Sequence, residues 1–116
     1  EENWTLFLFQ KDGKYALKIR EEDGLLAGLY EFPSYPGSFN EKEAKTLLEK
    51  EGYGFDKVVP LGESKHVFTH LIWHLQGYAV SLTSVPFPSS FVWASKEEIL
   101  RKYPLPTAYS HYKKKL

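Results

Sequence analysis

Between residues 4 and 20 the chain reads WTLFLFQKDGKYALKIR, two runs of strand-forming residues around an Asp-Gly pair. Trp4, Leu6 and Leu8 alternate with Thr5, Phe7 and Phe9, and Tyr15 to Arg20 runs Tyr-Ala-Leu-Lys-Ile-Arg. Asp12-Gly13 at the join suits a tight two-residue turn, so the spacing predicts a β-hairpin. That hairpin commits the start of the chain to a sheet, and the rest has to be read around one.

Glu21 to Gly24 is a polar turn, and GLLAGLYEFPSYPG, residues 24 to 37, reads as a buried loop with a short strand near Leu29 to Phe32. Asn40 can cap a helix, with Glu43 placed to bond back to it; Ala44, Leu47 and Leu48 form the apolar stripe, and Gly52 ends the helix at about Glu51. Val58 to Leu61 is a short strand candidate, and Leu71 to Leu82 a longer one in which Tyr78, Val80 and Leu82 alternate. Phe91 to Trp93 is another short strand. Ser95-Lys96-Glu97-Glu98 is a capping box that starts a second helix, which stops before Pro104. The order β, β, β, α, β, β, β, α predicts an α+β domain with a curved mixed β-sheet and a helix on each side.

The 116 residues correspond to one domain by size, and a hydrophobic fraction of 42% with 16% aromatics excludes a disordered tail. There is no cysteine, so no disulfide, thiolate metal site or cysteine nucleophile is available. Apolar runs fall far short of the roughly 20 residues a bilayer-spanning helix needs, and no membrane partner is expected. The start at Glu1-Glu2-Asn3-Trp4 has no Met and no signal-peptide pattern. Residues 1–116 are therefore expected to be a piece of a longer protein, in a cytoplasmic setting and monomeric as a fragment. Residues 1–60 carry 8 Lys+Arg against 12 Asp+Glu, and residues 61–116 carry 7 against 3. So mild a polarity predicts weak DNA binding by this domain alone, since phosphate neutralisation supplies most of such affinity.

KHVFTHLIWH, residues 65 to 74, spaces His66, His70 and His74 four apart, which aligns them on a helix or a strand alike. The Val, Phe, Thr, Ile and Trp among them favour strand, and imidazoles four apart on a strand begin roughly 13 Å from one another. That is too far for one zinc to bind all three, so no metal site is read here. His74 reads as a half-exposed position on the wet face of the sheet, and Lys65 to His70 as a loop.

GLLAGLYEFP (24 to 33), KHVFTHLIW (65 to 73), Val92-Trp93-Ala94-Ser95 with Glu97-Glu98, and the ending YPLPTAYSHYKKKL (103 to 116) together resemble the C-terminal domain of MutY-type adenine DNA glycosylases. The resemblance runs through nearly the whole chain in the right order. It implies a Nudix-like fold without pyrophosphohydrolase chemistry. The Nudix signature G-x5-E-x7-R-E-U-x-E-E-x-G-U ends on residues 45 to 53, where Lys45 replaces Arg, Thr46 replaces Glu, Glu49 is kept and Lys50 replaces Glu; Gly37 and Glu31 fall at its first Glu and Gly. One carboxylate beside lysines is a poor magnesium site.

The resemblance also implies a role. Such domains recognise 8-oxoguanine opposite the adenine that a separate N-terminal catalytic domain excises, so the implied partners are that domain and double-stranded DNA containing 8-oxoguanine:A. The bacterial nucleoid is the expected setting. No catalytic residue is assigned and no cofactor is expected in this piece, because the family carries its catalytic carboxylates and iron-sulfur cluster in the other domain. The family's Phe-Ser-His loop falls on Phe68-Thr69-His70. Oxidation turns guanine N7 from an acceptor into a donor, so an acceptor such as the Thr69 hydroxyl can tell the two purines apart. Phe68 braces the loop or meets the base stack, and His70, Lys65 and His66 are placed to touch phosphate. Core packing for Phe68 and a plain strand-edge position for Thr69 stay open. The tail residues His111 and Lys113 to Lys115 read as solvated. The alternative function is a divergent Nudix hydrolase acting on oxidised nucleotides, and a third is a protein-interaction domain.

Overall fold

A computed structural model of the chain describes residues 1–20 and 28–116. The opening hairpin forms as β1 (Glu2–Lys11) and β2 (Lys14–Ile19), with Gln10 opposite Tyr15. Asp12 and Gly13 take φ of 52° and 75°, the mirror-image turn whose twist matches the flanking strands. The turn expected at Glu21–Gly24 and the loop residues up to Ala27 lie outside the described residues. Beyond them come β3 (Tyr30–Glu31), within the stretch expected to be a strand, and β4 (Ser34–Pro36), which was not expected.

Both helices begin where their caps place them. In α1 (Glu41–Lys50) the Glu43 N–H donates to Asn40 Oδ1 at 2.8 Å and the Asn40 N–H to Glu43 Oε1 at 3.0 Å. Ser95 and Glu98 make the same pair of bonds at the start of α2 (Lys96–Arg101). Between the helices run β5 (Gly54–Val67), β6 (Ile72–Ser84) and β7 (Val92–Ala94). The strand expected over residues 58–61 is thus part of a much longer one, bent by register shifts between Gly54 and Gly62.

The strand order is β3-β2-β1-β6-β5, with β4 also on β1 and β7 on β2. β1 runs parallel to β6, from Glu2 opposite Trp73 to Gln10 opposite Ser81, and the other pairs are antiparallel. This mixed sheet explains why both alternating sets of β1 are apolar. Leu6 and Leu8 pack with Leu17, Trp73, Leu75 and Ile99 of α2 on one face; Phe7 and Phe9 pack with Tyr78, Val80 and Ala44 and Leu48 of α1 on the other. Each such side chain, removed wholly from water, contributes about 1.5 to 3 kcal/mol, so a strand buried on both faces anchors the fold. The helices therefore stand on opposite sides of the sheet, as expected.

The C-terminal tail departs from expectation. A 3-10 turn (Thr107–Tyr109) leads into α3 (Ser110–Lys113), and Tyr109 and Tyr112 are buried on the α2 side of the sheet. Lys114 and Lys115 stay exposed, but His111 reaches the Leu61 carbonyl at 3.0 Å and the Tyr112 hydroxyl donates to the Gly62 carbonyl at 3.0 Å. Apolar surface on two tyrosines outweighs the pull of the lysines into water.

Candidate nucleic-acid interface

The last rung of the β5–β6 ladder is Val67 opposite Ile72, so Phe68 to Leu71 is a four-residue loop at the tip of a long hairpin. It is closed by the Phe68 N–H donating to the Leu71 carbonyl at 2.7 Å. Lys65, His66 and Val67, read from the sequence as loop, belong to β5 instead. The ladder to β6 extends them because Trp73, His74 and Ile72 offer partners that no local pattern reveals.

Reversal of the chain at the loop changes what the three histidines are to each other. Directly opposite residues of an antiparallel pair share a face, and neighbours along a strand do not. His66 faces the same side as Trp73, while His74 faces the other side with Lys65. His70 lies in the loop between them. The estimate of spacing along one extended strand therefore does not apply, and the two flanking rings are separated by the sheet itself. His74 Nε2 stands 3.5 Å from Glu1 Oε1, partly exposed, in keeping with a wet-face position.

Thr69 and His70 are exposed at the tip, and Val67 beside them is 61% exposed. Phe68 is half-buried. Its ring meets Trp73 edge-on at 4.9 Å and His66 edge-on at 4.6 Å, so it packs down against the sheet and braces the loop. Of the five residues singled out in the sequence, the structure brings Phe68, Thr69 and His70 together in the loop. His66 lies beneath Phe68 on the α2 side. Lys65 stands on the α1 side, in a polar groove of about 500 Å³ shared with Glu63, His74 and Gln76.

Sequence reasoning missed the support under the loop. Arg20, at the end of β2, lies over the Trp73 ring at 5.1 Å, pairs with Glu31, and donates to the Tyr109 hydroxyl at 3.2 Å. Burial first, and then the Glu31 carboxylate, push the Tyr109 phenol well above its ordinary value, so the hydroxyl stays protonated. These residues are far apart in the chain and share no spacing; an unexplained Trp two positions past the loop was the one signal available.

The magnesium site of Nudix enzymes does not fit the residues of α1. Glu49 is the one carboxylate kept there, Lys50 follows it, and Lys45 pairs with Glu41 at 3.2 Å. Among the described residues no group of three or more His, Cys, Asp or Glu could hold a metal ion.

A mixed sheet between two helical layers, with a capped helix ending just before β5, is the architecture of a Nudix fold. The chain belongs to the NUDIX domain family, whose profile matches residues 4–115. It is similar to the adenine DNA glycosylase of Arabidopsis thaliana, 35% identical over 77 residues, a match covering 53% of this chain and 12% of that protein. Among solved structures it resembles the C-terminal domain of mouse MUTYH in complex with human PCNA, with a TM-score of 0.75, 24% identity, and 99% of this chain and 89% of that one covered. The E. coli ORF135 protein superposes with a TM-score of 0.62 and 26% identity over 92% of this chain and 81% of that one. A NUDIX hydrolase from Nitrosomonas europaea shares the fold, with a TM-score of 0.68 at 17% identity over 97% and 86% of the two chains.

Proposed function

We propose that this chain is the lesion-recognition domain of an adenine DNA glycosylase, reading 8-oxoguanine opposite the adenine that a catalytic domain elsewhere in the protein removes. One observation carries the reading: Thr69 and His70 project into solvent on a braced hairpin tip, at the place where MutY-type domains are expected to meet the damaged base. The sequence likeness to an adenine DNA glycosylase supports it. So does α1, where Lys45, Thr46 and Lys50 replace three of the charged residues that metal-dependent hydrolysis needs.

The chemistry follows from one relocated hydrogen. 8-Oxoguanine presents an N7–H donor, which the Thr69 hydroxyl can accept, whereas the lone pair of guanine N7 meets only the hydroxyl's other role as donor. Because the hydroxyl serves both ways, preference depends on the loop holding it in the accepting orientation, and one such contact is worth about 1 to 3 kcal/mol. His70 and Lys65 touch phosphate and set the register without reading the base. Duplex carrying 8-oxoguanine:A and the catalytic domain are the partners this requires.

Thr69→Val removes the hydroxyl and keeps the shape. In the full-length protein it should lower the preference for 8-oxoguanine:A over G:A by about tenfold while adenine removal from G:A stays unchanged. Phe68→Ala, which takes away the brace, should act the same way. An unchanged preference in both variants sinks the reading. Turnover of 8-oxo-dGTP by the chain with magnesium would replace it with hydrolysis of an oxidised nucleotide.

A further inference from the structure

We propose that Trp73 is a positioning residue for the reading loop, and that Arg20 holds it in place. The inference rests on the reading of the hairpin tip given above and extends it to residues that never touch DNA.

Trp73 is 3% exposed, and its Nε1–H has no acceptor among the described residues. A buried donor left unmatched is destabilising, and a phenyl ring at this position would avoid it. What an indole supplies is reach. One side of it meets Phe68 at 4.9 Å, another meets Tyr109 at 6.2 Å, and the Arg20 guanidinium covers it at 5.1 Å. Arg20 is itself directed by Glu31 and by the Tyr109 hydroxyl, which also donates to Glu31 at 3.4 Å. Side chains from the residue just after β2, from β3, from β6 and from the C-terminal 3-10 turn thus converge under one loop.

The consequence lies in how the loop is closed. Phe68 supplies both the ring that rests on Trp73 and the N–H that bonds to Leu71, and Thr69 is the next residue. A shift of the indole moves the Phe68 ring, and with it the backbone that aims the Thr69 hydroxyl. Since that hydroxyl must be held as an acceptor, a small displacement is enough to lose preference for the lesion without loss of the fold.

The test uses Arg20→Gln and Arg20→Lys beside Thr69→Val. In amide spectra of the 116-residue chain, Arg20→Gln should shift Phe68 to Leu71 and leave Ala44 and Leu48 of α1 in place. In the full-length protein it should lower the preference for 8-oxoguanine:A over G:A by about threefold to tenfold with removal from G:A unchanged. Arg20→Lys keeps a cation over the indole and should restore part of the preference. If Thr69→Val loses preference and Arg20→Gln does not, or if the loop amides stay put, the positioning role is overturned and the reading of the tip survives. If the amides shift but neither variant changes the preference, the reading of the tip fails and takes this role with it. Should Arg20→Gln not fold, Arg20→Lys, which keeps the charge but lacks the planar guanidinium that lies over the indole, carries the same comparison against wild type.

Discussion

Gly77, in the middle of β6, lies directly against Tyr112 of the C-terminal segment. A Cβ placed there would stand 2.3 Å from Tyr112 Cε1 and 2.7 Å from Leu6 Cδ2, distances at which something must move. Neither neighbour has room to give, since both are fully buried and the Tyr112 hydroxyl is tied to the Gly62 carbonyl. Gly77→Ala should therefore destabilise the chain by about 1 to 3 kcal/mol, visible as a lower urea midpoint, and Tyr112→Leu in the same background should recover part of the loss. An unchanged midpoint in Gly77→Ala would show that the tail does not dock as described. Thr69 is the opposite kind of position. Exposed and without a side-chain partner among the described residues, it should tolerate Val within about 0.5 kcal/mol, so the effect proposed for it on lesion preference is testable at constant stability.

At the scale of elements, the helices and the long hairpin are specified in different ways. Ser95 at the head of α2 donates its backbone N–H to the Glu98 carboxylate while its hydroxyl accepts from the Glu98 N–H, and the Ser95 N–H first, then the Ser95 side chain, hold the Glu98 carboxyl below its ordinary value of 4.5. A lowered carboxylate contributes stability above the unfolded value and loses it as pH falls through the folded one. The Glu98 carboxyl should therefore titrate below 4.5 in a carbon-detected NMR titration, with the amides of α2 shifting as it protonates, and Glu98→Gln should abolish that step. Such boxes span four residues, which is why both helices were legible in the chain. β5 was not. Four of its fourteen residues were read as strand, because its exposure pattern is irregular and its extent is set by the β6 residues it pairs with. The bend at Phe68 to His70 was legible as a loop, while the faces taken by Lys65 and His66 were not, since a face depends on register across the hairpin. Among the described residues β5 is also the edge of the sheet beyond β6, and Pro60, its bulges and the bonds from His111 and Tyr112 to Leu61 and Gly62 blunt it against strand addition.

Across the whole molecule the sheet is covered on both faces, and much of the cover is tyrosine. Tyr35, Tyr53, Tyr78, Tyr109 and Tyr112 all have phenols pushed above their ordinary value of 10, with burial the first cause in each. A raised pKa gives stability that is complete below the unfolded value and is lost as pH climbs toward the folded one. Urea midpoints should hold steady to about pH 9 and fall beyond about pH 10, with the late rise of tyrosinate absorbance coinciding with unfolding. A midpoint as high at about pH 11 as at about pH 8 would contradict the burial of these rings.

The amino-acid sequence alone determined the parts whose physics is local: the Asp-Gly hairpin, two capped helices, a bend at Phe68 to His70, and a Nudix helix left with one carboxylate of its signature. Tertiary structure decided which side chains meet. β1 lies parallel to β6, so Trp73 comes to rest against Phe68 and Tyr109 under Arg20, and the tail packs on Gly77 where a lysine run had suggested solvent. Contacts between residues 20, 31, 73 and 109 leave no period or spacing in a chain, because their energy depends on closing long loops and burying shared surface, and only the folded arrangement brings them within reach.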